Sequence, residues 1–444
     1  MLFNRTRNFA FNLRDFISGG KVNYHYKDVK RLLDLSTSED VLYHTKKRLD
    51  ELLSHATSTT EFYKPYKDFK SIKDFPIIMK SVVQENFEEF RSKEYLNKSY
   101  YKVSTSGSTG VPFFLFQDKN KRKRNTADVI YYFKKSGFNI GNSLYEFEVW
   151  GPHNKKGRIK SFMQNVYQFD VSKLTDDKIL QLFKILRKDK GPKAFLGFAS
   201  AYETICQFLE RNNKEIPTDL NLKTIIANSE YLNEYTKTSM SKFFNAPVFS
   251  RYSNEELGLL AQQIDGSGED FVINWASYYI ELLDFNLDVP VEDGKLGRIV
   301  VTDLYNRCMP LIRFDTGDIG IFTDSEKGEL PKFKHVEGRK MDVIYDTSGN
   351  MVSSFVVYTK FYKYYNLLKQ YQFVQKGEKV YVIKLNIDDA KFQYEEELIS
   401  DVKKDFGEDA IISIEYVNEI PCLASGKRKK VLSLYKKKKS SSKK

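Results

Sequence analysis

The sequence predicts an α/β protein: a large N-terminal domain with mixed sheets, helices and a β-rich subdomain, followed by a small mobile C-terminal α+β domain. Three observations predict it. The first hundred residues read mainly as helices, short apolar runs alternate with helical stretches from about Tyr101, and the texture changes again after Gly338-Arg339. A length of 444 residues exceeds what one core normally supports. We therefore expect an N-terminal core domain at 1–337, a C-terminal lid domain at 338–432 and a basic disordered tail at 433–444.

The elements follow in order. Apolar positions recur at three and four in Asp28 to Leu35 and in Ser38 to His55, which predicts helices. Pro76 disfavours helix at Phe75, so a loop or short crossing is expected up to Lys80. Strand-like runs at Pro112 to Gln117, Ser143 to Val149, Ala194 to Phe198, Thr224 to Ala227 and Val248 to Tyr252 come next. Helices at Asp176 to Lys188, Ser200 to Asn212 and Asn233 to Phe243 lie between them, the pattern of a sheet with helices on its faces. Between Phe271 and Lys334 strands dominate, such as Tyr278 to Leu283 and Gly297 to Asp303, separated by turns such as Glu292-Asp293-Gly294-Lys295. A helix at Val356 to Leu367, a hairpin of Tyr371 to Gln375 with Val380 to Leu385, a helix at Glu395 to Phe406 and a strand at Ile411 to Tyr416 complete the small domain.

Charge narrows the partners. The net charge is +12, but Lys427 to Lys444 holds ten Lys or Arg and no acid, leaving +2 for everything upstream. A nearly neutral body argues against a nucleic-acid partner, and the tail reads as solvated, with a weak anionic-surface contact as its alternative. Cys206, Cys308 and Cys422 are far apart and form no C-x-x-C pair, as in reduced, packed thiols. His25, His44, His55, His153 and His335 show no zinc-ligand spacing. Neither a signal-peptide core nor a run of roughly 18 apolar residues is present, so no membrane span and a cytoplasmic location are expected. A homodimer is among the assemblies the sequence allows.

Ser104-Thr105-Ser106-Gly107-Ser108-Thr109-Gly110-Val111-Pro112 suits polyphosphate, because glycines let backbone N–H groups face an anion while hydroxyls add donors without bulk. A mononucleotide P-loop would need Gly-Lys-Ser or Gly-Lys-Thr and then a helix. Here Gly110 precedes Val111-Pro112 and a strand-like Phe113-Phe114-Leu115-Phe116, so the loop is expected to join two strands. The alternative is a polar surface hairpin.

Further motifs follow in a recognisable order, and with them the chain resembles the adenylate-forming superfamily of acyl-CoA ligases, within it the branch of phenylacetate-CoA ligase and capsule-biosynthesis ligases. Thr105 to Pro112 is similar to that family's phosphate loop, and Asn228-Ser229-Glu230 to the segment before its adenine site. Tyr252-Ser253-Asn254-Glu255-Glu256 resembles its Tyr-Gly-x-Thr-Glu, and Arg313-Phe314-Asp315-Thr316-Gly317-Asp318 its Arg-Tyr-x-Thr-Gly-Asp. Gly338-Arg339-Lys340-Met341-Asp342 is similar to its Gly-Arg-x-Asp-Asp, and Ser425-Gly426-Lys427 ends the series. The resemblance implies ATP as substrate, Mg²⁺ held by Glu256, and coenzyme A as the further cofactor it allows. It also implies a ribose contact from Asp318, a hinge at Met341 with Arg339 beside it, and Lys427 brought onto the reacting oxygens.

ATP or AMP would then meet Thr105, Ser106, Gly107, Ser108, Thr109, Gly110, Ser229, Glu230, Tyr252, Ser253, Asp318 and Arg339. The acid would lie near Trp150, His153, Gly197 and Phe198, where aromatic residues serve a core equally well. Its partners are a carboxylic acid and a thiol or amine acceptor, in capsular or other surface polysaccharide assembly. The alternatives are a catabolic aryl- or acyl-CoA ligase and a nucleotide-binding homologue without turnover. Three departures motivate the last: Phe113 replaces the usual lysine, Ser253 and Glu255 replace Gly and Thr, and Met341 replaces the first hinge Asp.

Overall fold

The structure is a computed structural model and describes residues 2–105, 113–151, 154–212, 220–285, 287–324, 329–337, 344–352, 354–361, 364, 367–421 and 429–435. The chain opens with helices α1 (Leu2–Ile17), α2 (Lys21–Lys30) and α3 (Ser38–Thr59), then the short α4 (Lys80–Glu85). The helix expected at 28–35 is the end of α2 continuing into a π-helical turn at Arg31–Leu35. Helix α3 starts where Thr37 and Asp40 cap each other's exposed backbone N–H groups.

Strands β1 (Tyr100–Thr105) and β2 (Phe113–Asp118) pair antiparallel, with Thr105 opposite Phe113, so the polar loop does join two strands. Helix α5 (Lys119–Lys135) follows, capped by Asp118, whose side chain accepts from the Lys121 N–H. The central sheet is built from β3 (Ser143–Glu148), β4 (Val166–Asp170), β5 (Lys193–Phe198), β6 (Leu222–Asn228), β7 (Val248–Asn254), β8 (Gly258–Gln262) and β9 (Val272–Ile273). Its order is β4-β3-β5-β6-β7-β8-β9, parallel from β4 to β7 and antiparallel beyond.

Helices α6 (Arg158–Gln164), α7 (Asp176–Lys188), α8 (Ala199–Arg211) and α9 (Glu234–Phe244) connect the parallel strands. In α7 the buried Ile179, Leu182, Phe183 and Leu186 recur at three and four, the stripe that packs α7 on Phe195 and Val248 of the sheet. Each such side chain contributes about 1.5–3 kcal/mol on full burial. Helix α5 covers the opposite face through Phe133, against Leu144, Ala194 and Ile226.

The β-rich part is a four-stranded antiparallel sheet of β10 (Tyr278–Leu283), β11 (Leu296–Asp303), β12 (Phe314–Phe322) and β13 (Phe333–Glu337), in that order. It shares the largest core with α3, β1, β2 and β8. A separate core holds residues 344–431. It comprises the small pair β14 (Ile344–Tyr345) and β15 (Met351–Val352), helices α10 (Ser354–Phe361) and α11 (Glu395–Phe406), and a sheet of β16 (Gln370–Gln375), β17 (Val380–Asn386), β18 (Ile411–Tyr416) and β19 (Val431–Ser433) ordered β18-β17-β16-β19.

The helix expected at 356–367 is described as α10 over Ser354–Phe361, and 362–363 and 365–366 lie outside the described residues. Of the stretch expected as a tail at 433–444, Ser433 lies in β19, paired with Gln375, the Leu434 N–H donates to Gln375 O at 2.9 Å, and 436–444 lie outside the described residues. Val431 is buried in the core of this unit, which is why the strand outlasts the onset of basic residues.

Candidate active site

The parallel strands end on one edge, at Glu148, Asp170, Phe198, Asn228 and Asn254. Open α/β sheets bind ligands at the carboxyl ends of their strands. Glu255, Glu256 and Leu257 form the turn from β7 to β8, where the Leu257 N–H donates to Asn254 Oδ1 at 2.8 Å. Glu256 is 3% exposed, and its carbonyl accepts Gln117 Nε2 at 2.9 Å, tying the turn to β2 and so to the polar hairpin.

The carboxylate of Glu256 is ion-paired with Lys80. The same Nζ lies 5.6 Å from the centre of the Phe113 ring, at the position where the resemblance leads one to look for a lysine. Sequence reasoning missed Lys80, and its only local signal was the break at Pro76. What places it is tertiary. The Ile78 N–H donates to Arg313 O at 3.0 Å and the Asp315 N–H to Ile78 O at 2.9 Å, so the segment before α4 runs beside β12. Arg313 takes a left-handed φ of 51° and is held by two bonds to Glu281, both 3.1 Å, and one to Phe75 O, 3.1 Å. Phe113 is buried, stacked against Phe314.

Tyr252 and Asp318, 66 residues apart, meet: the Tyr252 hydroxyl donates to Asp318 Oδ2 at 2.8 Å. Burial, then the Asp318 charge, push the phenol well above its usual range, so it stays a donor. Thr316 orders the turn, its hydroxyl donating to Ile299 O at 2.9 Å and accepting the Asp318 N–H at 3.1 Å, while Gly317 supplies a φ of 78°. Ser253 sits at the bulge between β7 and β8. Ser229 has a φ of 66°, which turns the chain after β6 so that Glu230 Oε2 accepts the Ser200 N–H at 2.8 Å at the start of α8. One Glu230 oxygen therefore caps that helix.

Around the expected acid pocket, the side of Gly197 that lacks a side chain faces Phe147: an added Cβ would lie 2.4 Å from Phe147 Cβ. Phe198 is buried in the core beneath α8. Trp150 is half-buried, and its buried Nε1 has no hydrogen-bond partner among the described residues. Beside it stand two acids that sequence reasoning passed over, although glutamates alternating with apolar residues in Tyr145-Glu146-Phe147-Glu148 were a visible signal. Lys156 Nζ bonds both Glu146 oxygens at 2.8 Å. Burial first, then Glu146 and Glu255, push the Glu148 carboxyl up to about 7.

The native state thus keeps a proton that the unfolded chain, at 4.5, has lost. Stability should fall as pH rises from 4.5 to about 7 and level off above, by on the order of 3 kcal/mol. Glu148→Gln should remove that fall. Urea-unfolding midpoints on both sides of the window check this, and equal pH slopes in the two proteins would contradict it.

Ser106, Gly107, Ser108, Thr109, Gly110, His153, Arg339, Met341 and Lys427 lie outside the described residues. Two bonds join the C-terminal unit to helix α8: Lys430 Nζ bonds Glu203 Oε2 at 2.6 Å, one turn from the capped Ser200, and Gln207 Nε2 donates to Leu368 O at 3.2 Å.

Among the described residues no three His, Cys, Asp or Glu cluster as a metal site. Mg²⁺ needs only one or two protein carboxylates when phosphates fill the rest of its shell. Glu256 fits that need: its carboxylate is buried, and among the described residues Oε1 is ion-paired with Lys80.

Residues 344–433 match the family model of the CapK C-terminal domain. The chain is homologous to Protein CapK of Staphylococcus aureus, 22% identical over 447 residues covering 93% of both chains. Among solved structures it is similar to 2-hydroxyisobutyryl-CoA ligase in the postadenylation state with R3-HIB-AMP, at a TM-score of 0.73 and 16% identity over 91% of both chains. Against that ligase in the thioesterification state with 2-HIB-AMP and CoA the TM-score is 0.58, at 16% identity over 91% of this chain and 92% of that one. The amide bond synthetase McbA of Marinactinospora thermotolerans matches with a TM-score of 0.53 and 12% identity, over 74% of this chain and 66% of its own. No helix among the described residues is long and apolar enough to cross a membrane. The chain has the fold of the adenylate-forming ligases, with a C-terminal unit that matches the CapK C-terminal domain.

Proposed function

We propose that this protein activates a carboxylic acid with ATP, releasing pyrophosphate, and passes the acyl group from acyl-AMP to a thiol such as that of coenzyme A or to an amine, in the assembly of a capsular or other surface polysaccharide. The observation that carries the reading is the convergence of Lys80, Glu256 and the β1–β2 hairpin at the edge of the sheet, with Tyr252 and Asp318 joined nearby. The structures of 2-hydroxyisobutyryl-CoA ligase and McbA support the two classes of acceptor, thiol and amine. The polysaccharide setting rests on the motif resemblance to capsule-biosynthesis ligases.

A substrate carboxylate is already ionised at neutral pH, so its oxygen attacks the α-phosphorus without a general base. The bond from that phosphorus to the bridging oxygen breaks, and pyrophosphate leaves with the electron pair. Catalysis is then positioning and charge neutralisation. Asp318, oriented by Tyr252, accepts from ribose hydroxyls, and Lys80 offsets charge on the phosphates. Mg²⁺, when bound at Glu256, supplies further neutralisation of the triphosphate. In the second step the acceptor's sulfur or nitrogen attacks the acyl carbon, AMP departs and the acceptor loses its proton. The unit beyond Gly338 acts as the lid that carries Lys427 to the reacting oxygens.

ATP–pyrophosphate exchange across a panel of carboxylic and amino acids tests the reading. At least one acid should support exchange; none doing so, with ATP binding still measurable, would overturn it.

A further inference from the structure

Helix α1 is inverted relative to an ordinary surface helix. Its Asn8 and Asp15 face the body: Asn8 Nδ2 donates to Ile140 O at 3.0 Å, and Asp15 accepts the Val22 and Asn23 N–H groups at 3.1 and 2.9 Å. Its apolar stripe faces solvent, with Phe9, Leu13, Phe16 and Ile17 at 68, 44, 78 and 76% exposure on one side of the helix. Helix α6 repeats the pattern, with Ile159, Phe162 and Met163 exposed.

The two stripes lie on neighbouring helices. The Arg7 guanidinium lies 5.2 Å over the Phe162 ring, and both helices hold the same loop: Asn165, the C-cap of α6, donates to Gly141 O at 3.0 Å, while Asn4 O lies where a Gly141 side chain would be. Exposed apolar stripes on two neighbouring helices mark an interaction site.

Charge decides the occupant. Around the face stand exposed Arg5, Arg14, Arg158 and Lys160, and the sole acid on either helix, Asp15, is buried. A second copy of the chain would set basic rim against basic rim. An anionic bilayer reverses that sign, accepting aromatic and aliphatic side chains at the headgroup boundary while arginine and lysine reach phosphate. We propose that α1 and α6 together form a docking face for an anionic lipid bilayer, with the protein lying on the membrane surface. The inference does not depend on the adenylation reading.

Co-sedimentation of the full chain with phosphatidylglycerol-containing vesicles, against phosphatidylcholine vesicles, tests it. Binding should require phosphatidylglycerol, weaken with salt and fall at least about tenfold in Phe16→Glu and Phe162→Glu together. Arg5→Glu with Lys160→Glu should produce a similar loss without touching the apolar face. All four positions are exposed, so circular dichroism should be unchanged. Removal of residues 436–444 separates the face from the basic tail. If that removal abolishes binding and the helix substitutions leave it intact, the proposal fails. It also fails if the phenylalanine substitutions dissolve a dimer while no variant or parent binds vesicles.

Discussion

Lys80→Met should lower ATP–pyrophosphate exchange by about 10²- to 10³-fold, the usual cost of removing one preorganised group from a transition state that develops charge. Phe113 stands where the resemblance leads one to look for a lysine, and the loop from Thr105 to Pro112 carries no Lys or Arg. Lys80 would supply a cation from a different part of the chain, 5.6 Å from the Phe113 ring and paired with Glu256. Its two possible jobs give different signatures. If it only neutralised Glu256, Lys80→Met would leave a buried carboxylate free for Mg²⁺ and reduce the metal concentration needed for half-maximal exchange, with little loss at saturation. If it serves the phosphates, the loss persists at saturating Mg²⁺, and Glu256→Gln in the same chain does not rescue it. Lys427→Ala provides the reference: it should abolish exchange while leaving ATP binding largely intact, as expected of a group that arrives only with the lid. Exchange in Lys80→Met within a fewfold of the parent at saturating Mg²⁺ would remove Lys80 from the site.

The contrast between Lys80 and Asp318 shows how far the sequence could be read. Asp318 follows Thr316 and Gly317, and that local turn chemistry is what builds its geometry, so the motif carried its own structure. The strand–loop–strand setting of the phosphate hairpin was legible for the same reason, because Pro112 and the aromatic run after it exclude a helix. Lys80 has no such neighbourhood. Its place depends on backbone bonds to Arg313 and Asp315, more than 230 residues away, and no local pattern encodes that pairing. Gly197 is the converse case: expected near the acid, it meets a packing demand, since β5 approaches Phe147 of β3 too closely for a side chain. Glu146 and Glu148 were visible as charges in an apolar run, but only the pairing of β3 with β4 and β5 places Glu148 at the edge where the parallel strands end.

Arg124→Met should destabilise the protein by about 3–5 kcal/mol, the cost of breaking a buried ion pair from one side. Arg124 is fully buried in α5 and meets four groups, from two other parts of the chain and its own helix. Its Nη1 bonds Asp28 Oδ2 at 2.6 Å, Nη2 bonds Ala276 O at 2.7 Å, Nε bonds Ser277 Oγ at 2.8 Å, and Asp128 Oδ1 lies 3.5 Å from Nε. Tyr305 stacks beneath it at 4.1 Å. A methionine fills most of the volume but leaves Asp128 and part of Asp28 without their cation; Arg48, with two bonds of 2.8 Å, continues to hold Asp28. The unpaired charge on Asp128 is therefore the main loss, and Asp128→Asn added to Arg124→Met should recover a large part of it.

His25 offers a second readout. Burial, then Arg124, hold its imidazole down at about 4, so the folded state disfavours a proton that the unfolded chain accepts below 6.5, and stability drops as pH falls between those values. Without Arg124 the His25 titration followed by NMR should move upward and that acid-side loss should shrink. The same cluster anchors α5 directly behind β2, the strand whose Gln117 fixes the Glu256 turn. Destabilisation here should therefore weaken nucleotide binding as well, through a residue that touches no substrate. A melting temperature within a degree or so of the parent for Arg124→Met, or a double variant no better than the single, would mean that the buried charges are balanced by some other group than Arg124.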